Sequence, residues 1–352
     1  MLNSSDIQKL IRPNIRDLTP YRSARDDYEE GLLLDANENG LGSSVRSKLD
    51  LHRYPTPTQD PLRKKIAEWR QVHHENVFLG VGSDEVIDML IRIFCEPAVN
   101  SIVIAPPTYG MYRVAADINN VEVKSVLLSE NFQLRVDPIL EEANKQANIL
   151  FLCSPNNPTG NDMKRTDILK LVAQFPGIVV VDEAYVDFSR QESMAAQVQQ
   201  YPNLVVMQTF SKSFGLAGIR LGIAFASPEI IGTMLKVKAP YNINKLTADT
   251  AKKAFDNKEL FSFNIEKIIE EREYVAEQLS YAEEVEKVYP SDANFLLFKI
   301  RNAKQVYQEL ADRGIIVRYR GDQPHCDDCL RVTIGMPDEN IRFLKTLKEV
   351  IS

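Results

Sequence analysis

One lysine stands among hydroxyl groups and glycines in the segment TFSKSFGLAGIR, residues 209–220. Lys212 follows the apolar run LVVMQ, which is typical of a buried strand, and a lysine at such a strand end can be partly desolvated. Because burial disfavours the charged ammonium, it lowers the pKa of a lysine and makes the neutral, nucleophilic amine accessible. Such an amine forms Schiff bases with aldehydes. A solvated surface lysine is the alternative interpretation, since most lysines are exposed.

The residues around Lys212 could hold an anion. Arg220 carries a permanent, forked donor for a phosphate or carboxylate, and Ser211 and Ser213 add hydroxyl groups. With the amine of Lys212, these groups favour an aldehyde that also carries a phosphate. Upstream, the run GIVVVD ends in Asp182, and a carboxylate near a strand end can keep a pyridine nitrogen protonated, so that the ring accepts electrons from a carbanion. Asp182 could equally cap a helix or pair with a loop cation.

These side chains need a scaffold, and the sequence predicts one between about residues 76 and 226. Short apolar runs alternate there with helical stretches, which is typical of parallel strands covered by helices on both faces. The segment DEVIDMLIRIFCE (84–96) predicts a buried helix with Ser83 as its N-cap. The predicted strands are VFLGV, SIVIA, VEVKSVLL, NILFLC, GIVVVD, LVVMQ and GIAFA.

Polar loops follow several of these strands, and in open parallel sheets ligands bind where loops leave the carboxyl ends. GVGSDE resembles half of a dinucleotide fingerprint, but Glu85 stands where the third glycine is required. A more general interpretation is a glycine turn leading into a helix N-terminus, whose free amides and dipole favour a phosphate. In PPTYGMY, Tyr109 could stack on a flat ring or be a half-buried packing residue.

The pattern changes after residue 246 and predicts a second, smaller α+β unit. A charged, helix-like stretch covers about 246–284, and NFLLFKI, GIIVRY and LRVTIG follow as strands. We therefore expect an N-terminal arm and substrate loop at 1–40, a large domain at 41–245 and a small C-terminal domain at 246–352. The arm is too poor in helices and strands to stand alone, so we expect it to pack on the small domain or on a partner subunit.

Composition and charge exclude several classes of function. The chain has 352 residues, of which 44% are hydrophobic and 26% charged, and this is enough for a large core. Its net charge is -7, and no run of lysines and arginines offers a track for a nucleic-acid backbone. No apolar run approaches the length that crosses a bilayer, and the N-terminus lacks the order of a signal peptide, so we expect a cytoplasmic protein.

The cysteines and histidines are candidate metal ligands. Four cysteines at irregular spacing do not form a disulfide framework, which agrees with a reducing compartment. His325, Cys326 and Cys329 in HCDDC could bind zinc or form a redox pair. A structural zinc needs four ligands and no second cluster is nearby, so an incidental surface turn is favoured and no metal is expected. The adjacent His73 and His74 are expected to face solvent.

Taken in order, the motifs resemble those of the fold-type I pyridoxal-phosphate-dependent aminotransferases. The resemblance covers nearly the whole chain and implies an α/β fold: a large domain whose central sheet is mostly parallel and flanked by helices, plus a smaller α+β domain. It is carried by SPNNPTG (154–160), VVDEAY (180–185) and SKSFGLAGIRLG (211–222). Further segments resemble the histidinol-phosphate aminotransferases within that family: NIRDLTPYRSARD (14–26), LLLDANENG (32–40), HRYPTP (52–57), PPTYGMY (106–112) and LRVTIGMPDEN (330–340).

The resemblance implies a role for each matched residue. Lys212 would bind the cofactor, pyridoxal 5′-phosphate, covalently and move a proton between the substrate Cα and the cofactor. Asp182 would pair with the pyridine nitrogen, and Tyr109 would stack on the ring. Asn157 and Tyr185 would donate to the phenolate oxygen. The cofactor phosphate would be held by Thr209, Ser211, Arg220, the backbone amides around Ser83 and Asp84 and, from a second subunit, Tyr54. The site would therefore be complete only in a homodimer.

On the substrate side, the resemblance implies that Arg331 grips an anionic group, with Arg318 and Tyr21 as helpers. Two guanidinium groups suit a phosphate dianion, and the same arginine can hold the carboxylate of glutamate in the other half-reaction. Arg318 could equally be a surface strand residue. Asn37, with its neighbours in the segment NEN (37–39), would lie in the substrate-side loop.

The implied reaction is transamination of L-histidinol phosphate with 2-oxoglutarate, by a ping-pong mechanism through pyridoxamine phosphate. Two alternatives use the same scaffold: transamination of aromatic or other amino acids, and decarboxylation of a phosphorylated amino acid. A cofactor-sensing regulator would need a fused DNA-binding module, for which neither length nor charge leaves room. Nucleotide binding through GVGSDE is the remaining alternative.

Overall fold

A seven-stranded sheet forms the centre of the larger unit. The computed structural model describes residues 2–28, 31–143 and 146–351. The strand order is β1-β7-β6-β5-β4-β2-β3. The two pairs that involve β7 are antiparallel and the other four pairs are parallel, so the predicted mostly parallel sheet is confirmed. Its strands are β1 (Val77–Val81), β2 (Ser101–Ile104), β3 (Glu122–Ser125), β4 (Ala147–Cys153), β5 (Ile178–Asp182), β6 (Leu204–Thr209) and β7 (Leu221–Phe225).

Helices cover both faces of this sheet. Because successive side chains of a strand point to opposite faces, Leu150 and Val179 pack in one apolar cluster, and Phe151 and Val180 pack in the other. This burial on both faces explains why the strands are continuous apolar runs. The helices up to residue 237 are α1 (Ser4–Leu10), α2 (Pro13–Arg16), α3 (Asp60–Arg70), α4 (Gly82–Phe94), α5 (Met111–Ile118), α6 (Val136–Ala143), α7 (Arg165–Gln174) and α8 (Pro228–Val237).

The smaller unit is a four-stranded antiparallel sheet in the order β10-β11-β9-β8, with its own apolar cluster against helices. The predicted helical stretch at 246–284 is divided into two helices, and the strand at GIIVRY contracts to two residues. The elements are α9 (Lys245–Phe255), α10 (Lys258–Ser280), β8 (Val285–Val288), β9 (Phe295–Ile300), α11 (Ala303–Asp312), β10 (Arg318–Tyr319), β11 (Cys329–Thr333) and α12 (Pro337–Ile351). The domain boundaries at residues 40 and 245 stay a prediction.

The N-terminal arm packs differently from the expectation over its first part. Ile7 and Ile11 are buried in an apolar cluster with α4 and α8 of the larger unit, not against the smaller sheet. The backbone N–H of Arg12 donates to the carbonyl of Ile93 (2.9 Å), and its side chain pairs with Glu96 (3.0 Å). Apolar residues four positions apart give a short helix one apolar stripe, and the outer face of α4 provides the matching surface.

Beyond this anchor, the segment from residue 18 to 57 leaves several large apolar side chains exposed. Leu32, Leu34 and Leu41 are 84%, 80% and 100% exposed. Among the described residues, none of the helices combines the length and the apolar character that crossing a bilayer requires.

Candidate active site

A cavity of about 620 Å³ opens at the carboxyl ends of β4, β5 and β6. This is the edge of the sheet where the loop sequences predict a ligand site. Arginines of the smaller sheet complete its wall. The residues predicted for the site that line this cavity are Ser83, Asp84, Tyr109, Asn157, Asp182, Tyr185, Thr209, Ser211, Lys212, Arg220, Arg318 and Arg331.

Three predicted site residues lie outside the cavity walls of this single chain. Tyr21 is 72% exposed. Asn37 adopts a left-handed backbone conformation (φ 53°) in the loop before Glu38. Tyr54 stacks on Tyr241, with 4.6 Å between the ring centroids. All three belong to the exposed segment at 18–57, so their roles stay predictions.

The loop that carries Lys212 is anchored on both sides. The carbonyl of Lys212 accepts a hydrogen bond from the N–H of Gly215 (3.0 Å), which closes a turn in the loop after β6. Next to it, the Ser213 hydroxyl donates to Asp187 (2.6 Å), and the same carboxylate pairs with Arg70 (2.6 Å). Since Asp187 follows β5, this network ties the lysine loop to the loop after Asp182.

The amine of Lys212 is left without a hydrogen bond or ion pair among the described residues. Burial lowers its pKa, and the positive charge of Arg331 lowers it further, while the carboxylate of Asp182 acts in the opposite direction. The amine lies 5.5 Å from the centroid of the Tyr185 ring. The structure therefore provides the partly desolvated lysine that nucleophilic and proton-transfer chemistry requires.

Asp182 is a buried carboxylate at the floor of the cavity. It is 3% exposed, and burial raises its pKa to about 6 even though two hydrogen bonds oppose this shift. The hydroxyl of Tyr112 donates to Oδ2 (2.7 Å), and the N–H of Ala184 donates to Oδ1 (3.1 Å). Among the described residues, no cation forms an ion pair with it. A ligand that presents a positively charged N–H would therefore be favoured here.

Tyr112 was not predicted from the sequence as a site residue. Its ring is wholly buried and stacks on Phe151, with 4.8 Å between the ring centroids. A buried tyrosine hydroxyl needs a hydrogen-bond partner, and the second tyrosine of PPTYGMY, three residues after Tyr109, was the available signal.

Ser83 and Asp84 at the N-terminus of α4 face Thr209, Ser211 and Arg220 across a pocket that could bind an anion. We call this pocket the anion cup, and the N-terminus of α4 forms one side of it. The helix begins at Gly82 directly after β1, so Ser83 lies in the first turn and is not the N-cap, contrary to the prediction. Gly82 has a φ of 73°, and a Cβ there would lie 2.6 Å from the guanidinium of Arg220. Glycine is favoured here because other residues are strained at this φ, and because a Cβ would displace the guanidinium from the cup. The first-turn amides have no intrahelical acceptors and attract anions.

Hydroxyl groups and Arg220 form the other side of the cup. The hydroxyl of Thr209 donates to Ser211 (3.0 Å), and Nη1 of Arg220 lies 3.5 Å from the same serine oxygen. Asp84 faces Arg220 across the cup at 3.5 Å and accepts a hydrogen bond from the hydroxyl of Tyr109 (3.1 Å). The carboxylate thus contacts both the arginine and the tyrosine, and a phosphate would bind to the amides, hydroxyls and guanidinium of the cup.

Arginines form the opposite end of the cavity. Arg331 donates to Oδ1 of Asn157 and lies over the ring of Phe295 (5.0 Å to the centroid). Burial, followed by the charge of Arg320, lowers the pKa of Arg331 to about 10. Arg318 lies directly opposite Arg331 in the β10-β11 ladder. Arg320 also lines the cavity and was missed from the sequence, although the alternation in RYR places residues 318 and 320 on one face.

The HCDDC segment forms a turn, as predicted. The prediction that this turn lies on the surface is wrong for its two cysteines. Cys326 and Cys329 are both fully buried in the core, and the N–H of Cys329 donates to the carbonyl of Cys326 (2.9 Å). His325, His73 and His74 are exposed. Among the described residues, no cluster of three or more histidines, cysteines or carboxylates is arranged to hold a metal ion.

Comparisons with known proteins agree with this geometry. Residues 30–345 match the family model of the class I and II aminotransferases. The chain is 46% identical over 352 residues to a histidinol-phosphate aminotransferase of Flavobacterium johnsoniae, with 99% of each chain covered.

Two solved histidinol-phosphate aminotransferases share the fold. The structure from Clostridium acetobutylicum has a TM-score of 0.79 at 24% identity and covers 85% of this chain and 91% of its own. The structure from Sinorhizobium meliloti, in complex with pyridoxal 5′-phosphate, has a TM-score of 0.79 at 21% identity and covers 90% of this chain and 89% of its own. Because the family model matches most of the chain and the Flavobacterium johnsoniae relative is 46% identical to it, the chain belongs to the class I and II aminotransferase family, among the histidinol-phosphate aminotransferases.

Proposed function

We propose that this chain transaminates L-histidinol phosphate with 2-oxoglutarate, giving imidazole-acetol phosphate and L-glutamate in histidine biosynthesis. Pyridoxal 5′-phosphate is its cofactor. This agrees with the aminotransferase family and with the Sinorhizobium meliloti structure, which has the same fold and binds this cofactor. One observation carries the proposal most strongly: the amine of Lys212, which has no hydrogen bond or ion pair among the described residues, lies in the same cavity as Asp182 and the arginine cluster formed by Arg318, Arg320 and Arg331. A cytoplasmic location stays part of the proposal.

The residues of the cavity fit this cofactor. Asp182 is a buried carboxylate with no cationic partner among the described residues, so it suits a protonated pyridine nitrogen. The anion cup at α4 suits a phosphate. The amine of Lys212 faces the same cavity. Bound here, pyridoxal phosphate supplies an electrophilic aldehyde and a ring that takes up the electron pair released when the substrate Cα loses its proton.

The chain's own residues then supply positioning and proton transfer. Lys212, with its pKa lowered by burial, would be the base that takes the proton from the substrate Cα and the acid that delivers it to the cofactor carbon. Asp182, oriented by Tyr112, would keep the pyridine nitrogen protonated. Tyr185, which is 7% exposed, and Asn157, which is held by Arg331, have polar groups for the phenolate oxygen.

The arginine end of the cavity explains the choice of anionic substrates. A histidinol phosphate carries a phosphate dianion, and glutamate carries carboxylates, so both half-reactions present negative charge to Arg331 and Arg318. Guanidinium groups bind either anion through paired hydrogen bonds. Among the described residues, neither arginine makes an ion pair with a carboxylate of the protein, so both charges remain for substrate.

Product analysis tests the proposed reaction. Purified enzyme saturated with pyridoxal phosphate should convert L-histidinol phosphate and 2-oxoglutarate into equal amounts of imidazole-acetol phosphate and glutamate. Phenylalanine and phosphothreonine serve as competing substrates for the two alternative activities. Faster turnover of phenylalanine, or release of carbon dioxide from phosphothreonine, would contradict the proposal.

The proposal includes a homodimer in which the segment at 18–57 contributes to the neighbouring site. The exposed leucines of this segment favour burial against another surface. Light scattering should give about twice the 40.0 kDa of one chain. Tyr54→Phe should lower the affinity for pyridoxal phosphate about tenfold, because a charge-assisted hydrogen bond to the phosphate is lost. A monomer with full activity would rule out the shared site.

Tyr112→Phe should weaken cofactor binding, because it removes the hydroxyl that stabilises the charged form of Asp182. Its loss should raise the pKa of Asp182 above about 6 and lower the affinity for pyridoxal phosphate at pH 7 by about tenfold or more. Since the ring nitrogen pairs with the carboxylate form, affinity should fall as the pH falls through the Asp182 pKa. In the variant, this decline should begin at higher pH.

The measurement is a cofactor titration between pH 5 and 8 on the wild type and the variant. Titration of the cofactor's own phosphate is common to both proteins and cancels in the comparison. Tyr281→Phe is a matched control, since its ring is 69% exposed and its hydroxyl donates only to the surface residue Glu277. Identical affinities and identical pH dependence for Tyr112→Phe would show that this hydroxyl does not support Asp182.

A further inference from the structure

We infer that Arg320 is a specificity-determining residue that binds the phosphate of the phosphorylated amino donor and contributes little to the glutamate half-reaction. This inference rests on the proposed function. It divides the arginine cluster into an inner position, Arg331, that serves both half-reactions and an outer position, Arg320, that serves the phosphate ester.

The ladder of the smaller sheet places Arg320 in the cluster. Arg318 pairs with Arg331 and Tyr319 with Leu330, and the N–H of Arg320 then donates to the carbonyl of Cys329 (2.9 Å). Side chains two positions apart share a face, so Arg320 and Arg318 lie on the side of the sheet that carries Arg331. Like charges opposite one another destabilise an antiparallel pair, and a bound dianion would remove this repulsion.

Arg320 has unused hydrogen-bonding capacity. Its Nε atom, like that of Arg331, is buried and has no hydrogen-bond partner among the described residues. Burial lowers the pKa of Arg320, and the charge of Arg318 lowers it further, while Asp322 opposes both effects without forming an ion pair. Because a buried donor without a partner is costly, the structure favours an anion that supplies the missing acceptor.

The different reach of the two substrates separates the inner arginine from the outer one. The group of glutamate that corresponds to the phosphate ester is the α-carboxylate, whose carbon is bonded directly to Cα, whereas the phosphorus of histidinol phosphate is three bonds away. The side-chain carboxylate carbon of glutamate is also three bonds from Cα, but it lies on the branch where histidinol phosphate carries its imidazole ring. Arg331 contacts Asn157, and its charge is the main cationic influence on Lys212. The charge of Arg320, in contrast, lowers the pKa of Arg331. The phosphate therefore extends from the reacting carbon toward Arg320, and its second negative charge matches an additional guanidinium.

The test compares the two half-reactions of Arg320→Gln holoenzyme in single-turnover experiments. The second-order rate constant with L-histidinol phosphate should fall by at least about thirtyfold, and that with glutamate should change by less than about twofold. Arg320→Lys, which keeps the charge but loses the fork, should recover part of the lost rate. Arg301→Gln is the matched control, since this arginine is 66% exposed and is not among the described residues that line the cavity.

A binding measurement separates this inference from the proposed function. Calorimetric titration of holoenzyme with inorganic phosphate should show weaker binding in Arg320→Gln than in wild type, whichever amino donor the enzyme uses. If the wild type does not react with histidinol phosphate, the proposed function fails, and the phosphate titration still decides the role of Arg320. Unchanged phosphate binding, or an equal loss in both half-reactions, would overturn the inference.

Discussion

Replacement of Lys212 by alanine is expected to lower turnover by about 10⁴-fold or more. We propose that this one amine both binds the cofactor covalently and moves the proton at the substrate Cα, and positioned acid-base catalysis alone contributes about 10²–10⁴-fold. No other lysine lines the cavity among the described residues, so none is placed to replace it. Turnover is measured with saturating histidinol phosphate and 2-oxoglutarate.

The control for this substitution is Lys304→Ala, at an exposed lysine of α11. It should leave turnover unchanged. The Lys212→Ala protein should also lose the visible absorption of lysine-bound cofactor while it still binds pyridoxal phosphate through the anion cup. Residual turnover above about one hundredth of wild type would contradict the assigned role of Lys212.

Arg331→Gln is expected to reduce kcat/KM by about 10²–10³-fold in both half-reactions. The side chain is half-buried, and loss of a buried partner for a charged group costs about 2–5 kcal/mol. The substitution also removes the hydrogen bond from Arg331 to Asn157, so Asn157 should hold the cofactor less firmly. Arg331→Lys should be intermediate, because lysine keeps the charge but cannot form two parallel hydrogen bonds.

Separate half-reaction kinetics distinguish the effects of Arg331 and Arg320. Loss in both half-reactions is expected for Arg331→Gln, whereas loss with the phosphate ester alone is expected for Arg320→Gln. Arg301→Gln again reports any general effect of removing a positive charge from the smaller unit. A full-rate glutamate half-reaction in Arg331→Gln would show that this arginine does not bind the carboxylate.

The central sheet was predictable because its strands are buried on both faces. Their apolar runs stand out from the charged helices between them, and the runs ending in Cys153, Asp182 and Gln208 were located to within about one residue. Strand β8 was missed because VEKV has two charged and two half-buried residues, so it lacks an apolar run. The contact of Ile7 with α4 was missed because a short helix carries no information about which surface will cover it.

The candidate site was predictable where a loop motif carries the chemistry and less so where the fold supplies a partner. Asp182 ends one predicted strand, and Lys212 and Arg220 lie in the segment that follows another, so the sequence alone placed them at one edge. Tyr112 donates a hydrogen bond to Asp182, which is 70 residues away in the sequence. This contact forms only when the chain folds, so no local motif indicates it. Arg320 depends on the register of a two-residue strand, which the sequence pattern did not define.

We propose that Lys212, Asp182 and the arginine cluster form one site that transfers the amino group of L-histidinol phosphate. The most direct measurement is the visible spectrum of cofactor-saturated enzyme during addition of L-histidinol phosphate without any keto acid. We expect the band of lysine-bound cofactor to be replaced by that of pyridoxamine phosphate, and 2-oxoglutarate to reverse the change. A band that does not respond to histidinol phosphate would contradict the proposed substrate, and the absence of any band after addition of pyridoxal phosphate would contradict the role of Lys212.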